Sequence, residues 1–259
     1  MAIKAPQGIL HEIPQGYRLV GKLLFPEKIE ALQTNSRIIP ADYALVQEGD
    51  SMSTAVSMAQ ILNGKGDFHS LHQQVFAEEL NGMDVRKFLP HLFRVNEALN
   101  RRAALYDANG NLIEEERLTN YTNTLNHNSW AYLNGYFQAS EQGKPEGFRR
   151  LDLLTITGFN EGKPIFSRVP LEPCLEVDCW ADVTPDSLNK QGLPTKKSPI
   201  GNNYEAGKTA YFGYPRKDCV ARFDSYSDGA ILSCNGNPAN RNGSLGVFAS
   251  IEDAKQSQK

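Results

Sequence analysis

Residues 221–247 read ARFDSYSDGAILSCNGNPANRNGSLGV. Apolar segments, residues 220–223 and 245–248, bracket the stretch, and Asp, Ser, Tyr, Gly and Asn fill almost every other place between them. A strand period on AILSC sends Ala230, Leu232 and Cys234 to one side and Ile231 and Ser233 to the other. A buried inner side fixes the register, and the outer side can then vary at a cost usually within about 0.5 kcal/mol per substitution. The polar residues also share a chemical origin. Asn is encoded by AAC or AAT, and changing one or both adenines gives Asp, Ser, Tyr, Gly or Ile. The stretch therefore reads as a diversified binding surface rather than an active site.

The region around it is strand-rich. WAYLNGYF (130–137) alternates apolar and polar residues, LDLLTITG and IFSRVPL flank the turn FNEGKP as a hairpin, and CLEVDCWADV adds a further strand region. Residues 186–203 carry the Pro, Gly, Asn and Lys of a long surface loop, and TAYFGY, CVARF, AILSC and LGVFAS complete a β-rich end. Trp130, Tyr132, Phe137 and Trp180 read as core, because aromatic side chains at strand spacing are usually buried.

The first part of the chain reads as mixed and largely helical. Residues 1–40 are rich in Pro and Gly, with one apolar core at 17–25, and read as a docking arm with one strand. Helical spacing is expected between residues 51 and 99: STAVSMAQIL after Ser51, then Leu71, Val75 and Leu80, then Val85, Phe88, Leu89, Leu92, Phe93 and Leu99. Pro90 is expected to kink the last run or sit near its start. Asn109–Gly110 in LYDANGNLIEE suits a hairpin turn, and EERLTNYTNTL reads as a short helix. Asn-Gly pairs recur along the chain, and each favours a turn with positive φ.

Several patterns suggest chemistry, and each has a plainer explanation. EGDSM (48–52) is similar to the nucleophile segment of self-cleaving repressors and signal peptidases, with Lys65 or Lys87 as a possible base for Ser51. Asp50 or Ser51 is more simply a helix N-cap. Asp152, Glu161 and Lys163 follow the D…ExK order of many nucleases, but ExK falls in a hairpin turn. His69, His72, Glu78 and Glu79 lack the spacing of a zinc site and read as helix ends. DANGN (107–111) is too short for a calcium loop. His127 reads as structural. No catalytic residue, metal or cofactor is assigned.

With 259 residues, 40% apolar and 22% charged, the chain can bury a substantial core. A net charge of −3 gives no reason to expect a nucleic-acid partner. A nucleic-acid-binding β-domain is the main alternative, with Arg149, Arg150, Arg216, Lys217 and Arg222 on phosphates beside Tyr211 and Tyr214. No signal peptide and no transmembrane segment is legible, so a cytoplasmic or virion-associated protein is expected. Cys174, Cys179, Cys219 and Cys234 form no CxxC pair and read as buried free thiols, with disulfides possible in an oxidising setting.

The C-terminal part resembles the variable proteins of diversity-generating retroelements. The residues that carry this are GKTAYFGYPRKD (207–218), VARF (220–223), the varied stretch, GNPANRNGSLGV (236–247) and SLGVFAS (244–250). GFRRLDLLTITG, PIFSRVPLEPC and DCWAD are compatible but less specific. In that family a reverse transcriptase copies a template with errors at adenines, and the copy replaces the 3′ end of a gene for a protein with a C-type lectin-like fold. The resemblance does not reach the first hundred residues, and the N-terminal region at 1–120 reads as a docking or attachment region. The resemblance implies a C-type lectin-like domain at 121–259 of an α+β protein. Its variable region would span about 220–248 and bind a protein or other macromolecular ligand, without catalysis. The resemblance implies display by Asp224, Ser225, Tyr226, Asp228, Ile231, Ser233, Asn235, Asn237, Asn240, Asn242 and Ser244. It makes Val220, Ala221, Phe223, Ala230, Leu232, Leu245, Val247 and Phe248 scaffold. The Glu-Pro-Asn calcium motif of sugar-binding lectins is absent, so no calcium-dependent sugar site is expected.

Overall fold

The structure, a computed structural model, describes residues 3–4, 13, 15–20, 22–32, 40–48, 51–63, 66–127, 129–140, 151–242 and 244–252. It is α+β. Three strands, β1 (Ile3–Lys4), β2 (Tyr17–Val20) and β3 (Leu23–Pro26), form a small sheet in the order β1-β3-β2. Then come β4 (Tyr43–Glu48), β5 (Ser51–Ser57), β6 (Leu62–Asn63), α1 (Phe68–Ala77), β7 (Asn81–Gly82), α2 (Val85–Leu99) and α3 (Glu115–His127). The rest is β8 (Trp130–Ala139), β9 (Leu151–Asn160), β10 (Lys163–Pro170), β11 (Cys179–Asp182), β12 (Thr209–Gly213), β13 (Cys219–Tyr226), β14 (Gly229–Gly236), β15 (Gly246–Val247) and β16 (Ala249–Glu252).

The helices form where the apolar spacing places them. Asp67 and Asp84 cap α1 and α2, their carboxylates accepting the Ser70 and Arg86 backbone N–H groups at 2.9 and 2.8 Å. Pro90 lies inside α2, not at its start. Two expectations fail. STAVSMAQIL is not helical: Ser51–Ser57 is a strand between β4 and β16, and pairing on both edges overrides the helix-like spacing of its apolar residues. The N-terminal region is therefore less helical than its sequence suggests. The arm at 17–25 holds two paired strands rather than one. Gly49, Asp50 and Lys65 lie outside the described residues, so neither the EGDSM segment nor that proposed base is described in full.

A nine-stranded sheet dominates, in the order β10-β9-β8-β13-β14-β12-β11, with β15 joining β8 to β6. Its inner side, with Ala131, Leu133, Phe137, Phe212, Ala221, Phe223, Ala230, Leu232 and Cys234, packs against Val85, Phe88, Leu89, Leu92 and Val95 of α2 and Tyr121 and Leu125 of α3. The Phe88 and Phe223 ring centroids are 4.6 Å apart. Asn134–Gly135 is not a turn but lies within β8; a Cβ at Gly135 would come within 2.7 Å of Val85 Cγ1, so glycine is needed for close approach to the helix. On the outer side α1 covers β8 and β9, with Phe68 5.6 Å from Tyr132 and 6.4 Å from Tyr136. Both core clusters draw residues from either side of position 120. β16 pairs with β5 and β7, so the last described strand completes the N-terminal sheet. Among the described residues no helix is long and apolar enough to cross a membrane.

Two buried imidazoles make this core sensitive to acid. Burial lowers the pKa of His72 from 6.5 to about 4 and that of His91 to about 3. His72 Nδ1 lies 2.8 Å from the Phe68 carbonyl, and His91 Nε2 lies 2.8 Å from the Tyr121 hydroxyl. In the unfolded chain both protonate near pH 6.5. The stability that the neutral rings contribute is therefore full above about pH 6.5 and is lost as pH falls toward the folded values, at up to about 1.4 kcal/mol per pH unit for each ring. Urea unfolding at pH 7 and pH 5 is expected to show this loss, and His91→Gln, which keeps a partner for Tyr121, should remove about half of it.

Candidate functional site

The hairpin of β13 and β14 sits in the middle of the large sheet, and its register places a row of side chains on the open outer side. Trp180 pairs with Tyr211, Tyr211 with Ile231, Ile231 with Asp224, and Asp224 with Trp130. Directly paired residues share a side of a sheet, so the five form one row across β11, β12, β14, β13 and β8. Tyr226 flanks the row, its ring edge-on to Trp130 at 5.8 Å. Trp180 and Tyr211 pack edge-on at 6.2 Å. Tyr211 and Tyr226 are 36% and 41% exposed, large fractions for aromatic rings within a sheet. Trp130 and Trp180, expected in the core, are only half-buried members of this row.

The division into scaffold and displayed positions holds on one side and needs correction on the other. All eight scaffold residues are buried. Tyr226, Asp228, Asn237, Asn242 and Ser244 are exposed, and Ile231, Asn235 and Asn240 are partly so. Asp224, Ser225 and Ser233, expected to be displayed, are buried. Ser225 follows Phe223 on the inner side by simple alternation, and its Oγ accepts the Ser129 backbone N–H at 2.9 Å. Ser233 lies on the outer side but is covered, its hydroxyl donating to Asn235 Oδ1 at 2.6 Å. Asp224 also lies outward, enclosed by its neighbours. Its Oδ2 accepts from Arg222 Nε at 2.9 Å and meets Nη2 at 2.8 Å, while Oδ1 is buried with no hydrogen-bond partner among the described residues. Burial raises the Asp224 pKa, and the adjacent Arg222 opposes that rise.

The Asn-rich loop is more structured than its composition suggests. Asn237, Asn240 and Asn242 each accept the backbone N–H two residues on, from Ala239, Asn242 and Ser244, at 2.9, 3.1 and 3.1 Å. These are Asx turns, in which the side chain imitates a backbone turn. The Tyr132 hydroxyl reaches the Asn240 and Asn237 carbonyls at 2.8 and 3.3 Å. The loop is tied to α1, because Phe68 donates to the Pro238 carbonyl and Arg241 pairs with Asp67 at 3.0 Å.

Of the other motifs, Arg222 lies beside Asp224 on this surface, and α1 with its histidines holds the Asn-rich loop. Glu161 and Gly162 form the β9–β10 turn with φ of 49° and 76°, and Asp152 pairs with Arg168 at 3.1 Å. His69 and His72 lie on α1, Glu78 and Glu79 follow its end, and Asn109–Gly110 forms a turn closed by the Tyr106–Leu112 bridge. His127 ends α3. Lys87 Nζ is held by Thr54 Oγ1 at 2.8 Å and Glu252 Oε1 at 3.2 Å. Arg216 pairs with Asp178 at 2.6 Å and stacks on Tyr214, Lys217 meets Asp218 at 3.6 Å, and Arg222 meets Asp224, so each of these cations has an acidic partner. Arg149 and Arg150 lie outside the described residues. Of the four free cysteines only Cys234 is fully buried, and Cys174, Cys179 and Cys219 are half-buried, so the expectation of buried thiols holds for one. A cleft of about 1040 Å³ lies beside α3, lined by both polar and apolar groups, among them Tyr43, Ser57, Leu80, Arg117, Asn120 and Tyr121. Among the described residues no group of three or more His, Cys, Asp or Glu side chains could hold a metal ion.

Compared with known proteins, the chain has no match. No family model fits it, and neither a curated protein nor a solved structure matches significantly. The site therefore rests on its own geometry.

That geometry separates tolerant from intolerant positions within one short segment. Asp228→Ala is expected to change stability by no more than about 0.5 kcal/mol, whereas Leu232→Ala, which opens a cavity under the sheet, should cost about 2–5 kcal/mol. Asn240→Asp should keep the Asx turn, and Asn240→Ile should lose about 1 kcal/mol with it. Chemical denaturation of the four variants measures all of these.

Proposed function

We propose that this chain is a non-enzymatic binding protein. It presents the outer surface of β13, β14 and the 237–244 loop to a macromolecular ligand, as a retroelement-diversified variable protein with a C-type lectin-like C-terminal domain. One observation carries the reading. Over residues 220–248 the eight scaffold positions are all buried, while eight of the eleven expected display positions, Tyr226, Asp228, Ile231, Asn235, Asn237, Asn240, Asn242 and Ser244, keep solvent exposure. Identity can change at such positions while the buried ones hold the sheet.

The neighbouring residues suit recognition. Trp130, Trp180 and Tyr211 extend the displayed row beyond the varied segment, giving it fixed aromatic flanks. Tyr and Trp supply large contact areas at low cost in conformational entropy, and Asn and Ser supply adaptable hydrogen bonds, the same division of labour as in antibody loops. The paired cations around the row make phosphate contact a poor account of it. Binding would be non-covalent, with anchors at the aromatic residues and specificity from the varied ones.

The DNA around the gene tests this directly. The expected finding is a reverse-transcriptase gene together with a near-copy of the 3′ end that differs at adenines, and AAC or AAT codons at the Asn positions. Absence of both genes, with few such codons across residues 224–244, would sink the proposal.

A further inference from the structure

The least satisfied group on the displayed surface is a carboxylate. Asp224 is 3% exposed, and its Oδ1 has no hydrogen-bond partner among the described residues, although the oxygen beside it is doubly bonded by Arg222. A buried acceptor without a donor is costly, on the order of 1–3 kcal/mol for a neutral group and more for a charged one. The surroundings are specific. Trp130 and Ile231 flank Asp224 on the neighbouring strands, Arg222 and Tyr226 flank it along its own strand, and the Trp130 and Tyr226 rings meet edge-on at 5.8 Å. Tyr226 is 41% exposed, so its ring is the movable member of this enclosure. Asp228, exposed at the tip of the same hairpin, adds a second negative charge to it.

We infer that Asp224 receives a cationic side chain of a protein ligand, a guanidinium or ammonium group that donates to its Oδ1 between the rings of Trp130 and Tyr226. The inference rests on the reading of this surface as a ligand-binding one and names the chemistry recognised there. Two features together select a cation over a neutral donor. The open carboxylate oxygen favours a charged donor, whose hydrogen bonds to carboxylates are roughly twice as strong as neutral ones. The indole and phenol faces favour positive charge through their quadrupoles. Arg222 does not fill this role, because both of its contacts go to Oδ2; it holds the carboxylate in place and leaves Oδ1 for an incoming group. Seating the ligand requires the Tyr226 ring to swing outward, and the ring can then close over the bound cation.

Tryptophan fluorescence tests this without knowledge of the natural ligand. The chain has two tryptophans, so Trp180→Phe leaves Trp130 as the only indole reporter. In that background, titration with N-acetyl-argininamide is expected to give a saturable change. N-acetyl-citrullinamide, its neutral isostere, should bind about tenfold more weakly, as should the arginine probe to Asp224→Asn. Tyr226→Leu, a change at an exposed position, should weaken binding several-fold and keeps the test decisive if Asp224→Asn fails to fold. Equal binding of the citrulline probe, unchanged binding to either variant, or no saturable change would overturn the inference. A negative titration beside a gene flanked by a reverse transcriptase and a 3′ near-copy would reject the cation site alone. A positive one without those genes would reject the retroelement origin alone.

Discussion

The contact on which the rest of the structure depends is the seat of the β13–β14 hairpin on α2, where Phe223 meets Phe88 with ring centroids 4.6 Å apart. Phe223, Ala221, Ala230, Leu232 and Cys234 all turn toward the helices. Because the side-chain period of a strand is two, fixing this set fixes which residues turn outward. A slip of one residue would bury Ile231 and expose Leu232. The burial of a few apolar side chains, each contributing about 1.5–3 kcal/mol, thus holds the register of a surface several strands wide.

That surface has two kinds of position that composition alone does not separate. Tyr226 and Ile231 occupy the hairpin strands, where the backbone is held by its ladder whatever the side chain, and Asp228 lies in the turn between them. Asn237, Asn240 and Asn242 occupy a loop whose turns their own side chains close. Asp or Ser at those loop positions can repeat the turn, whereas Ile or Tyr cannot. Tolerance in the loop therefore depends on which residue arrives, and tolerance on the hairpin depends much less on it.

Much of this was legible in the sequence, and the failures have common causes. Leu71, Val75, Phe88, Leu89 and Leu92 declare their helices through spacing, and the scaffold of the hairpin declares itself through alternation. Ser51–Ser57 misleads because its apolar residues also fit a helix, and the partner that decides the matter, Ala249–Glu252, is remote in sequence. Trp130 and Trp180 mislead because alternation yields two sides without saying which one is covered. Ser225 fails on parity alone, one place after an outward residue. Asp224 has the right parity, and its burial comes from Trp130 and Ile231, neighbours supplied by register rather than by local sequence. The capping aspartates, Asp67 and Asp84, went unread although their signal, an Asp just before a helical apolar run, is purely local.

The β5–β16 pairing has a consequence for how the chain is made. Ser57 accepts the backbone N–H of Ala249, 192 positions later. During synthesis β5 has β4 beside it early, but its second edge stays open until Ala249–Glu252 emerges. An open strand edge is a template for unwanted pairing, and closing so long a loop is slow compared with local folding. The Asn-rich loop and β15 both precede that closing strand in the chain. The N-terminal sheet is therefore completed only after residues about 190 positions downstream of β5 have been made.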